Sequence, residues 1–408
     1  ADVYGKRRVM LVALGIALVG AVVATLAPTF EVLIVGRALQ GVVISTMFLT
    51  YSLMRDVYPP KVLPLAASIS TTGIGIFSIG LPFLVGWMLD TWGWRGLFGF
   101  DVLWILVLGP LLVLTTAESP VRVRSQVDYL GAALLGGGIA AVLGAVSLAA
   151  TLPGTVTLSL VVAGVVLLAL FVRISLRRRD PLVDLRVFTR RPVLLAAVTA
   201  AAAYSASAVF ASVSPLISLT PRAAGGDYGL GLTAFGYSAV SAPQAVMMVL
   251  GGLAVGLLIG RTGGRGLMIL GLLLFAVGGL LASFFHDSVL QLSLAAVVVG
   301  IGTGLTYGSI PNLVVAATPV DQQGSIASMV QVFQGSFAST APVFLFVILA
   351  TGARPTPTGS YVYTNAVIQQ GLWFMVGLAL VGALLAATVL RSRASDPAPA
   401  VPVPASAA

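Results

Sequence analysis

Residues 31–51, EVLIVGRALQGVVISTMFLTY, place a guanidinium inside an apolar stretch long enough to cross a bilayer. Arg37 stands about two helical turns past Glu31. At the centre of a span an arginine costs about 2.5–3.5 kcal/mol on insertion scales. It persists where it faces protein or a wet cavity, or where it snorkels to the interface, and both readings are open at this stage. Arg37, Gln40, Ile44, Met47 and Tyr51 recur at helical spacing. They predict one continuous face, polar at one end and soft and aromatic at the other, as a substrate pathway would be. A guanidinium stays charged, so Arg37 cannot release a proton itself. It can hold a nearby carboxylate ionised until another group displaces it. Asp101, near the outer end of a later apolar stretch, is the visible candidate. It reads either as a protonatable site or as an interfacial residue in water.

Other mid-span polar and aromatic groups lie downstream. They are Tyr204, Ser205 and Phe210, then Gln244, then Tyr307 and Asn312, then Gln331 and Gln334 on one face at i, i+3. Met47, Met54, Met247 and Met248 add soft surface that suits varied apolar ligands. Each alone fits helix packing or an interhelical hydrogen bond. As a set they favour a small amphipathic substrate over a sugar or an anion. Enzymatic chemistry is not expected. There is no cysteine, and the one histidine, His286, sits beside Asp287 in a short loop, so neither a nucleophile with its base nor a metal cluster is in view.

The elements that must position these groups are membrane spans. The chain is 58% hydrophobic and 9% charged, against about 25% charged in soluble domains, and its mean hydropathy is +1.05. Apolar stretches of spanning length fall at 10–28, 33–55, 63–89, 96–116, 129–150, 155–176, 193–219, 233–260, 266–285, 290–316, 325–350 and 368–391. The chain is therefore expected to be an all-α polytopic membrane protein with about twelve transmembrane helices. Eighteen lysines and arginines fall in loops on one side of that arrangement, and only Arg95, Arg222 and Arg354 on the other. That asymmetry puts both ends of the chain in the cytoplasm. The net charge of +9 is thus a topology and inner-leaflet signal, with no nucleic-acid partner implied. Trp87, Trp92 and Trp94 form an interfacial belt at the outer end of the third span. Two short basic turns echo each other: Asp2-Val3-Tyr4-Gly5-Lys6-Arg7, and Gly260-Arg261-Thr262-Gly263-Gly264-Arg265. At corresponding places in two bundles they suggest parallel repeats.

Asp2-Val3-Tyr4-Gly5-Lys6-Arg7 resembles the cytoplasmic signature loop between the second and third spans of the major facilitator superfamily. Leu33-x-x-x-Arg37-x-x-Gln40-Gly41 is similar to its fourth-span motif, and residues 73–90, followed by Gly93-Trp94-Arg95, resemble its fifth-span antiporter motif. Asp128-Tyr129-Leu130-Gly131, the two spans after it, and residues 179–183 resemble the fourteen-span drug:proton antiporter branch. In the antiporter motif Pro82 and Gly86 are retained, whereas Leu81 and Val85 stand where glycines are usual. Val3 replaces the first arginine of the loop, and Asp101 stands where the branch usually has Asn.

The resemblance implies a two-bundle fold. Residues 1–116 would be an incomplete N-terminal bundle, and 117–192 two extra spans with a basic linker. Residues 193–393 would be a C-terminal six-helix bundle, and 394–408 a disordered tail. It also implies that two spans precede Ala1, one of them carrying an acid. The function implied is proton-coupled efflux of amphipathic drugs or small hydrophobic metabolites by alternating access, in a monomer of the plasma (inner) membrane. No cofactor beyond the proton gradient is implied. Arg37, Asp101, Asp2, Gly5 and Arg7 would serve coupling and gating. Gln40, Met47, Tyr51, Pro82, Tyr204, Phe210, Gln244, Tyr307, Asn312, Gln331 and Gln334 would line the pathway. The alternatives are export of another metabolite or lipid, or a membrane structural or sensor protein of the same fold.

Overall fold

A computed structural model describes residues 4–59, 62–120, 128–149, 152–178, 185–186, 191–222, 228–317, 323–356 and 361–388. At 44–45, 47–48, 51–52, 55, 63–76, 315–316, 323–325 and 328 it describes the backbone alone. Eleven helices run through these residues: α1 (Lys6–Thr25), α2 (Phe30–Gln40), α3 (Ile44–Val57), α4 (Leu63–Thr115), α5 (Tyr129–Ser147), α6 (Gly154–Arg177), α7 (Arg191–Leu219), α8 (Ala234–Phe284), α9 (Val289–Ala316), α10 (Gln323–Ala350) and α11 (Asn365–Thr388). Two of them turn back on themselves. In α4 the backbone breaks at Gly93 (φ 66°), and in α8 at Gly263 (φ 68°), so each supplies two antiparallel spans. A residue with a side chain is strained at such φ values, which is why glycine stands at both reversals. With α2 and α3 forming one broken span, the described helices give the twelve crossings the hydropathy pattern predicts. An antiparallel pair of short strands, β1 (Ala353–Pro355) and β2 (Tyr361–Tyr363), joins α10 to α11. The hydropathy pattern marks only a loop there.

Helices α7 to α11 share a single apolar core, in which Phe210, Phe275, Met268 and Leu345 are almost fully buried. Backbones approach closely at glycine. A Cβ on Gly251 would sit 2.8 Å from the Ile301 carbonyl oxygen, and one on Gly271 would sit 2.9 Å from that of Gly302. Such crossings supply van der Waals contact where lipid offers no hydrophobic drive for helices to associate. The same device joins α1 to α2 through Gly20 and Gly36, and α5 to α6 through Gly138 and Gly164.

The α5–α6 hairpin leans on both sides of the molecule. Asp128 accepts from the Gly131 amide at 2.8 Å, capping α5, and pairs with Arg178 beyond the end of α6. Leu134 and Phe171 pack on Met329 of α10, while Tyr129 meets Tyr4 at 3.0 Å between hydroxyls.

Candidate functional site

Arg37 is joined to Asp101 through one residue. Its Nη1 donates to Gln40 Oε1 at 3.0 Å, and Gln40 Nε2 donates to Asp101 Oδ2 at 3.4 Å. Arg37 and Gln40 are three residues apart on α2 and so share a face. Asp101 comes from the second span of α4. The guanidinium also lies over the Phe98 ring, 5.7 Å from its centroid, within the range of a cation–π contact. All three polar groups line a cavity of about 370 Å³ whose other walls include Leu14, Val43 and Trp104. Trp104 in turn stacks on Phe100. The arrangement is a cation and a half-buried carboxylate, bridged by an amide and set in an aromatic and aliphatic wall.

Beyond this cluster the helix type changes along the predicted face. Helix α2 stops at Gln40, and Gly41–Val43 form a 3-10 turn before α3 begins. A 3-10 turn advances about 120° per residue against about 100° in an α-helix, so three residues rotate the backbone beyond by about 60°. The side chains of Met47 and Tyr51 lie outside the described residues.

A second polar cluster closes one end of helices α1, α3 and α4. Gly5 has φ 98°, and a Cβ there would sit 2.9 Å from the Glu118 carboxyl carbon. Glu118 accepts from the amides of Arg7 (2.9 Å), Arg8 (3.1 Å) and Ser119 (3.0 Å), two of them otherwise unpaired donors in the first turn of α1. Lys6 Nζ reaches Asp56 Oδ2 at 2.5 Å in a nearly buried ion pair, and Ser119 Oγ donates to the same carboxylate. Arg7 Nη2 donates to the carbonyl of Val113 near the end of α4. Through these contacts the loop at Gly5–Arg8 joins α1, α3 and the end of α4. Asp2 lies outside the described residues. Lys6, Asp56, Glu118 and Ser119 are absent from the sequence-based candidates. The acids stand singly near span ends, where they read as boundary charges.

The candidates beyond residue 200 are dispersed. Tyr204 and Tyr307 come together, their rings stacked at 4.0 Å and 9°. Phe210 is 1% exposed and packs within the apolar core. Asn312 donates to the Gly308 carbonyl of its own helix at 3.0 Å. Gln244 and Gln331 are half-buried on α8 and α10. Gln334 is buried, and its Oε1 has no hydrogen-bond partner among the described residues. Pro82 is half-buried within α4. The two non-glycine departures of the antiporter motif, Leu81 and Val85, are exposed. His286 is buried between the Ala282 carbonyl (2.8 Å) and Asn365 (3.0 Å), tying the end of α8 to the start of α11.

Helices of spanning length, with hydropathy to match, define a polytopic helical membrane protein. The chain belongs to the Major Facilitator Superfamily, whose family model matches residues 1–342. It is 29% identical over 394 residues to an uncharacterised MFS-type transporter of Mycobacterium tuberculosis (strain ATCC 25618 / H37Rv), covering 90% of this chain and 55% of that protein. It is 28% identical over 350 residues to the multidrug resistance protein Stp of M. tuberculosis (strain CDC 1551 / Oshkosh), covering 83% of this chain and 63% of that protein. The chain thus spans a little over half the length of these curated relatives. Among solved structures it resembles a peptide transporter of the POT family in complex with alafosfalin, with TM-score 0.67 and 17% identity over 96% of this chain and 81% of that one. A bacterial homologue of the human lysosomal transporter Spinster matches with TM-score 0.61 and 15% identity, over 95% of this chain and 84% of that one. At these identities the structural likeness is one of fold.

Proposed function

We propose that this chain is the greater part of a proton-coupled exporter of small amphipathic compounds, in the fourteen-span drug:proton antiporter branch. The observation that carries the proposal is the Arg37–Gln40–Asp101 chain of hydrogen bonds on an aromatic-walled cavity within the spans. Asp101 would take up and release the proton. Arg37, which keeps its charge, would act through Gln40 to favour the ionised carboxylate until a proton or substrate takes its place. Trp104 and the aliphatic wall would accept the apolar body of the substrate, and Tyr204 with Tyr307 would present a second aromatic surface across the pathway. The inserted α5–α6 hairpin and the relative named as a multidrug resistance protein support the branch. The division into two bundles at 1–116 and 193–393, flanking the insert, fits alternating access between two rocking bodies. The distribution of basic loops supports the plasma (inner) membrane with both ends of this chain in the cytoplasm.

The test is flux in proteoliposomes containing the full-length protein. An imposed pH gradient is expected to drive transport of an amphipathic dye, and a protonophore to abolish it. Transport of sugars or phosphates alone, unaffected by the protonophore, would overturn the assignment.

A further inference from the structure

The arginines described at the end of α6 are of two kinds. Arg178 pairs with Asp128, the N-cap of α5. Arg186 donates to the Leu176 carbonyl at 2.7 Å, one of the orphan acceptors of the last turn of α6. Both are engaged within the protein. Arg173 and Arg177 are exposed, and among the described residues neither makes a hydrogen bond or an ion pair. They stand one turn apart on the same face of α6.

The rest of that face is apolar. Leu158, Val162, Val166 and Leu170 lead to Arg173 and Arg177 at successive spacings of four, four, four, three and four, which is one stripe of a helix. All four are exposed. The opposite side of α6 is the packed one: a Cβ on Gly164 would fall 2.9 Å from the Gly138 carbonyl oxygen of α5, and Phe171 is buried with Leu134 and Met329. From Gly154 to Val172 the helix rises about 28 Å, close to the hydrocarbon thickness of about 30 Å. Arg173 therefore falls where the acyl region ends, and Arg177 lies about 6 Å further on, at headgroup depth. A guanidinium at that boundary is held by reaching phosphate or water. Residues 154–177 contain no acid, so the stripe presents two positive charges at the foot of a row of alkyl groups. A second copy of this chain does not complement it, because a two-fold contact through this face would set arginines against arginines.

We propose that this stripe binds one anionic glycerophospholipid, with its phosphate bridged between Arg173 and Arg177 and an acyl chain laid along Leu170, Val166 and Val162, an inference that rests on the membrane placement of the spans and not on the substrate reading. Charge and shape both select this occupant. The two guanidiniums favour a headgroup of net negative charge, and the exposed alkyl row takes the chain that a free anion lacks. A basic residue near the membrane surface contributes about fivefold in affinity for anionic lipid, so two contribute about twenty-fivefold. The bound lipid fastens the hairpin to the leaflet at the end where Asp128 already holds Arg178 and Tyr129 meets Tyr4.

The test counts lipid, not flux. Full-length protein in detergent is titrated with phosphatidylglycerol or with phosphatidylcholine, and the bound lipids are resolved by native mass spectrometry. The unaltered protein is expected to hold one phosphatidylglycerol about twenty-fivefold more tightly than phosphatidylcholine. Arg173→Gln and Arg177→Gln should each weaken that lipid about fivefold, and together they should bring it to the affinity of phosphatidylcholine. Inorganic phosphate in large excess should not displace it; displacement would mark a bare anion site and overturn the lipid. An unchanged phosphatidylglycerol affinity in the double variant also overturns the site, since the two guanidiniums would then only snorkel into water. An equal loss with Arg261→Gln, an exposed arginine of the Gly263 turn, overturns it as well, because binding would then follow net charge alone. Should the double variant fail to elute as a single species, unchanged affinities in both single variants overturn the site equally. No transport enters the readout, so a protein that moves nothing amphipathic still decides the question.

Discussion

The turns at Gly5 and Gly263 are built on the same three-residue frame, and among the described residues only the Gly5 turn carries a charge pair. In both, a glycine with positive φ is followed two residues later by an arginine. Arg7 donates to the Val113 carbonyl, at the end of the last span of its half. Arg265 donates to the carbonyls of Ala386 (2.9 Å) and Ala387, at the end of the last span of the other half. The shared frame closes orphan carbonyls at a helix C-terminus with a cation, which hydrogen bonding and the dipole both favour. Between glycine and arginine the turns diverge. Lys6 enters a nearly buried pair with Asp56, beside Glu118 and Ser119, whereas Gly264 has no side chain, and a Cβ there would meet only Leu313 and Ile259 at ordinary van der Waals distance. The frame belongs to the repeat. The ionic network lies at the Gly5 turn, where removing one partner would leave the other charge nearly buried and uncompensated.

The two turns should differ most at the position between glycine and arginine. Lys6→Ala leaves Asp56 nearly buried with the Ser119 hydroxyl and no cation, and should cost about 3 kcal/mol in unfolding free energy. Gly264→Ala at the matching place should stay within about 0.5 kcal/mol. Chemical unfolding of the purified protein in detergent checks both. Equal costs would mean that the two turns are equivalent and the pair at Lys6 is idle.

A smaller contrast is expected at the glycines. Gly5→Ala combines a left-handed backbone with a Cβ pressed on Glu118, and should cost about 2–3 kcal/mol. Gly263→Ala meets open space and carries the backbone strain alone, about 1 kcal/mol. The same unfolding measurement separates them, and a larger cost at Gly263 would contradict the packing at Gly5.

Much of this was legible in the sequence because it is local. Hydropathy and the side-to-side charge count give the twelve crossings, glycine and arginine mark the two turns, and a three-residue spacing places Arg37 beside Gln40. What was not legible depends on distant partners. Asp56 and Glu118 look like boundary charges until Lys6 and the first turn of α1 are folded against them. Asp90 looks like the acid of a helix end, yet it accepts from the amides of Ala234 and Phe235, 144 and 145 residues downstream. The 3-10 turn at Gly41–Val43 carries no proline or charge to announce it. Phe210 shares the residue type of a pathway aromatic, and only burial shows it to be core.

The coupling mechanism proposed for this transporter stands or falls with Arg37, acting through Gln40 to keep Asp101 competent to exchange a proton. It is measured directly by pH-gradient-driven flux in proteoliposomes of the full-length protein, with size-exclusion profiles as the folding control. Arg37→Ala and Asp101→Asn should each lower coupled flux more than about tenfold, equivalent to about 1.4 kcal/mol. Arg37→Lys should restore only part of it, because the planar fork that meets the amide is lost. Near-normal coupled flux in a well-folded Arg37→Ala protein would contradict the mechanism and show that the guanidinium does no more than snorkel.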